Sequence, residues 1–318
     1  AIHALSTLPP PGGKGTNGGL KTLLDAYFAV SKEVERMASG QQAPMAEQSI
    51  NSAKDVAERL SGLFDAGTGA RIKALLQAPL EDISSGVVVI QQEQVAQTFS
   101  ASVGGELASV QGRYPFSESA SADLSADEFG DLFKPGGKLD QFFDQNKAMI
   151  DNPNSGAKGA ELKSFRDKVR EVQKSFFAGG SLSAQFDMVP ERPEPSNVVA
   201  EVDLKMDATL HNNRTSEGFS FESPKRIAWP GDGSEAYVEI RDVNGNSARV
   251  AAPRGAFAMF RLLEKGSLKA RSSDEFVVEW NVKLGGRTVR LRYTIQAAGL
   301  KNPIAGLNLL HDMKMPEL

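Results

Sequence analysis

Pro190-Glu191-Arg192-Pro193-Glu194-Pro195 sets three prolines in six residues. Each proline fixes φ near ~−65°, removes an amide donor and pushes the preceding residue toward extended backbone, so no helix crosses this stretch. On its N-terminal side Leu162, Phe165, Val169, Val172 and Phe176 step by three, four, three and four residues, with Lys163, Arg166, Asp167, Lys168, Arg170, Glu171 and Lys174 opposite. That is one apolar face of a surface helix over 161–177. On its C-terminal side the period becomes two, in runs over 198–210, 219–221, 237–240, 276–284 and 288–295. Asn244-Gly245-Asn246 and Gly285-Gly286 supply two hairpin turns. Phe257, Phe260, Leu262 and Leu263 restore helical spacing between them over 255–263.

The chain therefore reads as α+β: an N-terminal all-α helical domain followed by an antiparallel β-sandwich with one short inserted helix. Residues 1–19 are expected to be a loop, on the Pro and Gly content of 9–19. The helical domain is expected over 20–190 and the β domain with its tail over 191–318. Leu20, Leu23, Leu24, Tyr27, Phe28, Val34 and Met37 predict a helix over 20–37. Further helices are expected near 44–65, 69–78 and 90–112, broken at Gly67, Gly69 and Pro79. Ser125 with Glu128 forms a capping box ahead of Phe129 to Phe133, and Lys134-Pro135-Gly136-Gly137 separates that helix from Leu139, Phe142 and Phe143.

Composition narrows the function. With 36 basic and 40 acidic residues the formal charge is −4, and 18 basic against 17 acidic residues in 191–318 puts the acidic excess in the first 190. No cationic footprint for nucleic acid results. Cysteine is absent, which excludes disulfides and thiolate metal sites. No apolar run approaches the ~18 residues of a membrane span. Beginning at Ala1 without a charged, apolar leader, the sequence reads as an excised piece of a longer chain.

No motif assembles a catalytic or metal site. His3, His211 and His311 are isolated, although Asp312 beside His311 could orient its imidazole. Glu201, Asp203 and Asp207 alternate along one strand, and Arg290 and Arg292 along another, as solvated strand faces do. Gly12-Gly13-Lys14-Gly15-Thr16 lacks the order of a phosphate loop. No catalytic residue, metal or cofactor is expected.

Four pieces in one order resemble the periplasmic C-terminal region of the type VI secretion subunit family IcmF/TssM. They are Arg113-Tyr114-Pro115-Phe116 with Phe129 through Phe143 (FGDLFKPGGKLDQFF), then Phe176-Phe177-Ala178-Gly179-Gly180, then Trp229-Pro230-Gly231, and Arg254 through Leu263 (RGAFAMFRLL). Asn302-Pro303 and the closing Pro316-Glu317-Leu318 fit the same ending, so the likeness covers about 110–318. Phe257 stands where members often carry Trp, and Met315 where many carry a cysteine before Pro-x-Leu.

The resemblance implies a non-enzymatic, periplasmic fragment of an inner-membrane subunit. Its implied partners are an outer-membrane lipoprotein, a companion inner-membrane subunit and further copies of itself. Trp229, Arg254 and the Asn302, Pro303 and Ile304 turn are the expected partner-binding residues, since aromatic and Arg residues dominate interface energetics. The alternative is a peptidoglycan-binding β-sandwich, which two tryptophans and four tyrosines serve poorly as a stacking platform. A hydrolase with an Asp/Glu pair assembled in space comes third.

Overall fold

The computed structural model describes all residues except 1–17, 42, 44, 152–155, 216–217, 220–222, 232, 298–301 and 317–318. The expected loop at 9–19 thus lies almost wholly outside the described residues, as do His3, Phe221 and the terminal Glu317 and Leu318. Two compact units form, one from residues 1–97 and 151–159 and the other from 98–150 and 160–317.

The first unit is helical: α1 (Gly18–Ala38), α2 (Ala46–Ser61) and most of α3 (Ala66–Phe99). Val30 and Met37 of α1, Ile50 and Ala53 of α2, and Leu80 and Val87 of α3 make its core. The expected break at Pro79 is absent, and α3 runs straight through that proline. Leu76, Leu80, Ile83, Val87 and Ile90 explain this, because their steps of four, three, four and three carry one buried or half-buried stripe across it. Pro79 lies off that stripe, exposed, and the carbonyl it frees belongs to exposed Leu75, which faces solvent.

The second unit opens with a π-helical turn (Ser100–Gly104) and α4 (Gly105–Gln111). Next come α5 (Ala126–Phe133), α6 (Lys138–Gln145), α7 (Lys147–Ile150) and α8 (Gly156–Phe176), which belongs here from residue 160. The Ser125 capping box forms as expected: its hydroxyl accepts the Glu128 amide at 3.1 Å and Glu128 accepts the Ser125 amide at 2.9 Å. Arg113 then grips the same carboxylate with both terminal nitrogens, at 2.9 and 2.8 Å. Between α5 and α6 the chain turns so tightly that a Cβ on Gly137 would lie 2.8 Å from two carbonyl oxygens, so only glycine fits.

After a small β1–β2 hairpin (Phe177–Ala178, Ser181–Leu182) the sandwich begins before the prolines, at β3 (Ala184–Pro190). The run over 198–210 is two strands, β4 (Glu201–Met206) and β5 (Thr209–Asn212), reversed at Asp207, whose φ of 51° is left-handed. A short β6–β7 pair (Arg214–Thr215, Gly218–Phe219) precedes β8 (Lys225–Trp229), β9 (Ala236–Arg241) and β10 (Ser247–Ala251). The inserted helix is α9 (Ala258–Lys265), followed by β11 (Ser267–Ala270), β12 (Glu275–Leu284) and β13 (Arg287–Gln296). The helix α10 (Pro303–His311) closes the described chain.

One sheet has the order β10-β9-β4-β5 and the other β11-β12-β13-β3-β8, antiparallel throughout. The α+β architecture with an inserted helix is therefore realised, and both hairpins form where their turns were read. Inward rows such as Val202, Leu204 and Met206 against Val278, Trp280 and Val282 are buried. At ~1.5–3 kcal/mol per large apolar side chain, such rows dominate the favourable energy.

At one end of the sandwich this interior continues into the helices. Phe129 of α5 lies 5.4 Å from Phe176, 6.2 Å from Trp229 and 5.7 Å from Phe257 between ring centroids. Trp229 lies 4.8 Å from Phe257 and 5.4 Å from Phe260. The motifs quoted above for their order in sequence thus meet in a single aromatic core.

Candidate interaction surface

The expected contact residues occupy distinct places. Trp229 ends β8 at 1% exposure, its indole N–H donating to the Ala256 carbonyl at 2.6 Å, so its ring serves the core. Asn302 is buried as the N-cap of α10: its side-chain oxygen accepts the amides of Ile304 and Ala305 at 3.0 and 3.2 Å, and its nitrogen donates to Ser273 at 2.8 Å. Pro303 takes the first helical position, where its missing N–H costs nothing, and Ile304 is buried below it. Arg254 alone of the five reaches solvent, 76% of its side chain being exposed while it pairs with Glu235.

Both outward sheet faces are laced with ion pairs. On one, Arg241 meets Glu201 at 3.0 Å, Asp203 at 3.4 Å and Glu239 at 2.9 Å. Glu201 and Asp203 thus share a face as their spacing implied. Asp207 does not join them, because it sits in the turn and accepts the Gly231 amide at 2.5 Å. On the other face Arg290 pairs with Glu194 at 3.1 Å, and Arg292 with Glu191 at 3.3 Å and Glu279 at 3.1 Å. A partner docking flat on either face would have to desolvate and break these pairs.

The two histidines among the described residues do not converge. His211 lies half-buried on β5, where burial first and then Lys225 lower its pKa. His311 is oriented by Glu264, at 2.6 Å, rather than by its neighbour Asp312. Among the described residues no group of three His, Asp or Glu side chains is placed to hold a metal ion.

At the end away from the aromatic core the loops face outward. The short segment 195–200 leads from the Glu194–Arg290 pairing to the Ala200 amide bonded to Arg241, so the same end of both sheets points this way. There the β9–β10 turn is braced by Asp242, which accepts the amides of Asn244 and Asn246 at 2.9 Å each and the Asn246 side chain at 2.8 Å. The Asn246 side chain first, with these amides, holds the Asp242 carboxyl below the usual range. Val243 rides this turn at 84% exposure. Sequence reading passed over it, although an apolar residue inside the polar turn Asp242-Val243-Asn244-Gly245-Asn246 is the signal that would have found it.

Residues 186–297 match the family described as "Type VI secretion protein IcmF C2-like domain". No curated protein sequence matches the chain. Among solved structures, a chain of a "Type VI secretion system membrane core complex" superposes with a TM-score of 0.71 at 19% identity, over 98% of this chain and 67% of that one. A chain of a "Type VI membrane complex" gives 0.67 at 19% identity, over 92% of this chain and 65% of that one. A "T6SS protein TssM C-terminal domain" from EAEC gives 0.57 at 21% identity, over 69% of this chain and 94% of that one. The fold is thus shared, and this chain spans about two thirds of the two membrane-complex chains it matches.

Proposed function

From its likeness to the C-terminal region of the IcmF/TssM family, carried in sequence by residues 186–297 and in fold by nearly the whole chain, we propose a non-catalytic part of a type VI secretion membrane complex. On this reading the chain lies in the periplasm and its β-sandwich binds an outer-membrane lipoprotein. The companion inner-membrane subunit and further copies of the chain complete the assembly.

One observation carries the reading further than the others. The family-like motifs converge on the aromatic core at one end of the sandwich, which leaves the opposite end, with the braced 242–246 turn, as a rigid platform. A preformed loop binds without the entropy cost of ordering. Val243 is the apolar contact there; Arg254, paired with Glu235, lies at the aromatic-core end and is not part of that platform. The glycan reading finds no comparable support, since Trp229, Trp280, Tyr114 and Tyr293 are buried, the half-buried Tyr237 ring is covered by Arg249, and half-buried Tyr27 lies in the helical unit.

Calorimetry of this chain against the soluble domain of the lipoprotein from the same secretion system tests the proposal. Val243→Asp is expected to weaken binding by about tenfold or more, about 1.4 kcal/mol or above, with the melting temperature unchanged. Full affinity in variants at every loop of the sandwich would sink the assignment, and retention on cell-wall sacculi instead would put the glycan reading first.

A further inference from the structure

We propose that His311 and Glu264 form a protonation-controlled latch that holds the last turn of α10, and the tail that follows it, against the inserted helix α9. The imidazole Nε2 lies 2.6 Å from the Glu264 carboxylate, with 10% of the histidine side chain and 28% of the glutamate side chain exposed. The pair joins residues 47 apart in sequence at the wall of a groove of about 380 Å³ lined also by Glu118, Asn308, Phe276 and Ile304.

The upstream turns of α10 are anchored independently of charge through buried Ile304 and Leu307, and Leu310 carries the same apolar contact into the last turn. Its last turn has the His311 pair, an edge contact of the imidazole with the Tyr114 ring at 5.5 Å, and buried Met313 just beyond. Protonation therefore acts on the C-terminal turn and tail rather than on the whole helix.

The groups facing the imidazole are Glu264 from α9, Glu118 and Tyr114 from the segment before α5, and Asp312 beside it in the chain. Among the described residues, the strands at this groove offer Leu268, Ala270 and Phe276 and no charged side chain. Arg261 is engaged by Asp123 and lies over the Tyr114 ring. The Tyr114 hydroxyl is held protonated, by burial first and then by Glu264, so it adds no second charge. Burial alone would lower the His311 pKa, but the Glu264 hydrogen bond and charge, then Glu118 and the Pro115 carbonyl, raise it above its ordinary value of 6.5. The helix C-terminus also favours the imidazolium.

The sign follows from linkage. A histidine whose folded pKa is raised contributes stability that is fully present below its unfolded pKa and is lost as pH rises through the folded one. The latch is closed below the ordinary histidine pKa and loosens as pH rises through the raised one.

Amide hydrogen exchange of the intact chain, expressed as protection factors over residues 303–316 between pH 5.5 and 8.5, tests this together with an NMR titration of His311. The expected result is a fall in protection at the C-terminal turn with rising pH, a His311 midpoint above 6.5, and a flat, low profile in Glu264→Gln. By linkage the size of the fall must match the measured midpoint shift. His311→Gln provides the second variant and should show the same flat profile. A midpoint at or below 6.5 in the unaltered chain, or the same pH-dependent fall in either variant, overturns the latch.

Discussion

Asp123 and Arg261, 138 residues apart, form an ion pair of 2.6 Å with less than a tenth of either side chain exposed. Asp123 also accepts the Phe257 amide at 2.9 Å, Arg261 donates to the Ala120 carbonyl at 2.9 Å, and the guanidinium lies 4.0 Å above the Tyr114 ring. The pair ties the segment before α5 to the inserted helix of the sandwich. Nearly every polar atom in it is satisfied, which is the condition under which a buried pair is tolerated.

Removing one partner leaves a buried charge. Asp123→Ala or Arg261→Ala alone is expected to cost about 3–5 kcal/mol, and the double variant clearly less than the sum. Both tryptophans, Trp229 and Trp280, lie in this unit, so tryptophan fluorescence during urea unfolding reads it directly. Additive single effects would show that the two side chains do not act together.

Gly306 marks a close approach of α10 to the end of α8. A Cβ there would lie 2.5 Å from the Ser175 Cβ and 2.7 Å from the Phe176 ring. Gly306→Ala should therefore destabilise by about 1–3 kcal/mol through overpacking, even though alanine is the better helix former. A raised melting temperature would contradict the packing described.

Asp207 combines left-handed backbone with the carboxylate that accepts the Gly231 amide. Asparagine keeps both the local conformational tolerance and an acceptor, alanine loses the acceptor, and valine adds steric strain. The order of stability should be Asp, Asn, Ala, Val, with the alanine variant about 1–3 kcal/mol below the parent. Urea midpoints of the four chains check the order.

Glu128 carries an acid-sensitive contact. The Arg113 hydrogen bonds first, then the Ser125 amide and hydroxyl, pull its pKa from 4.5 down to about 2. A depressed carboxylate contributes stability present above its unfolded pKa and lost as pH falls through the folded one, here between 4.5 and about 2. About half of the glutamate side chain is exposed, so solvent screening keeps the effect under about 1 kcal/mol. Glu128→Gln should narrow the stability difference between pH 5 and pH 3, and added salt should narrow it further in the parent.

What could be read from the chain before folding was local. The Ser125 and Glu128 pattern announced a cap and the glycine turns announced two hairpins, whereas the change of period falls earlier than the three prolines, at the strands from Phe177 on. Pro79 misled because one residue was weighed against a stripe from Leu76 to Ile90 that buries more than the missing hydrogen bond costs. Val243 was overlooked for the converse reason: an apolar residue amid turn residues hinted at it, but its 84% exposure is a property of the assembled loop.

The sequence by itself determined the α+β class, the inserted helix and the turn positions, because periodicity and turn chemistry act between residues a few positions apart; the family likeness came separately, from the resemblance of its motifs. Only the tertiary structure decided that Trp229 belongs to the interior, that Asp123 meets Arg261, and that Glu264 rather than Asp312 holds His311. A buried face records that it is covered and carries no record of what covers it, so pairings over such separations follow from packing volume and charge satisfaction across the whole unit.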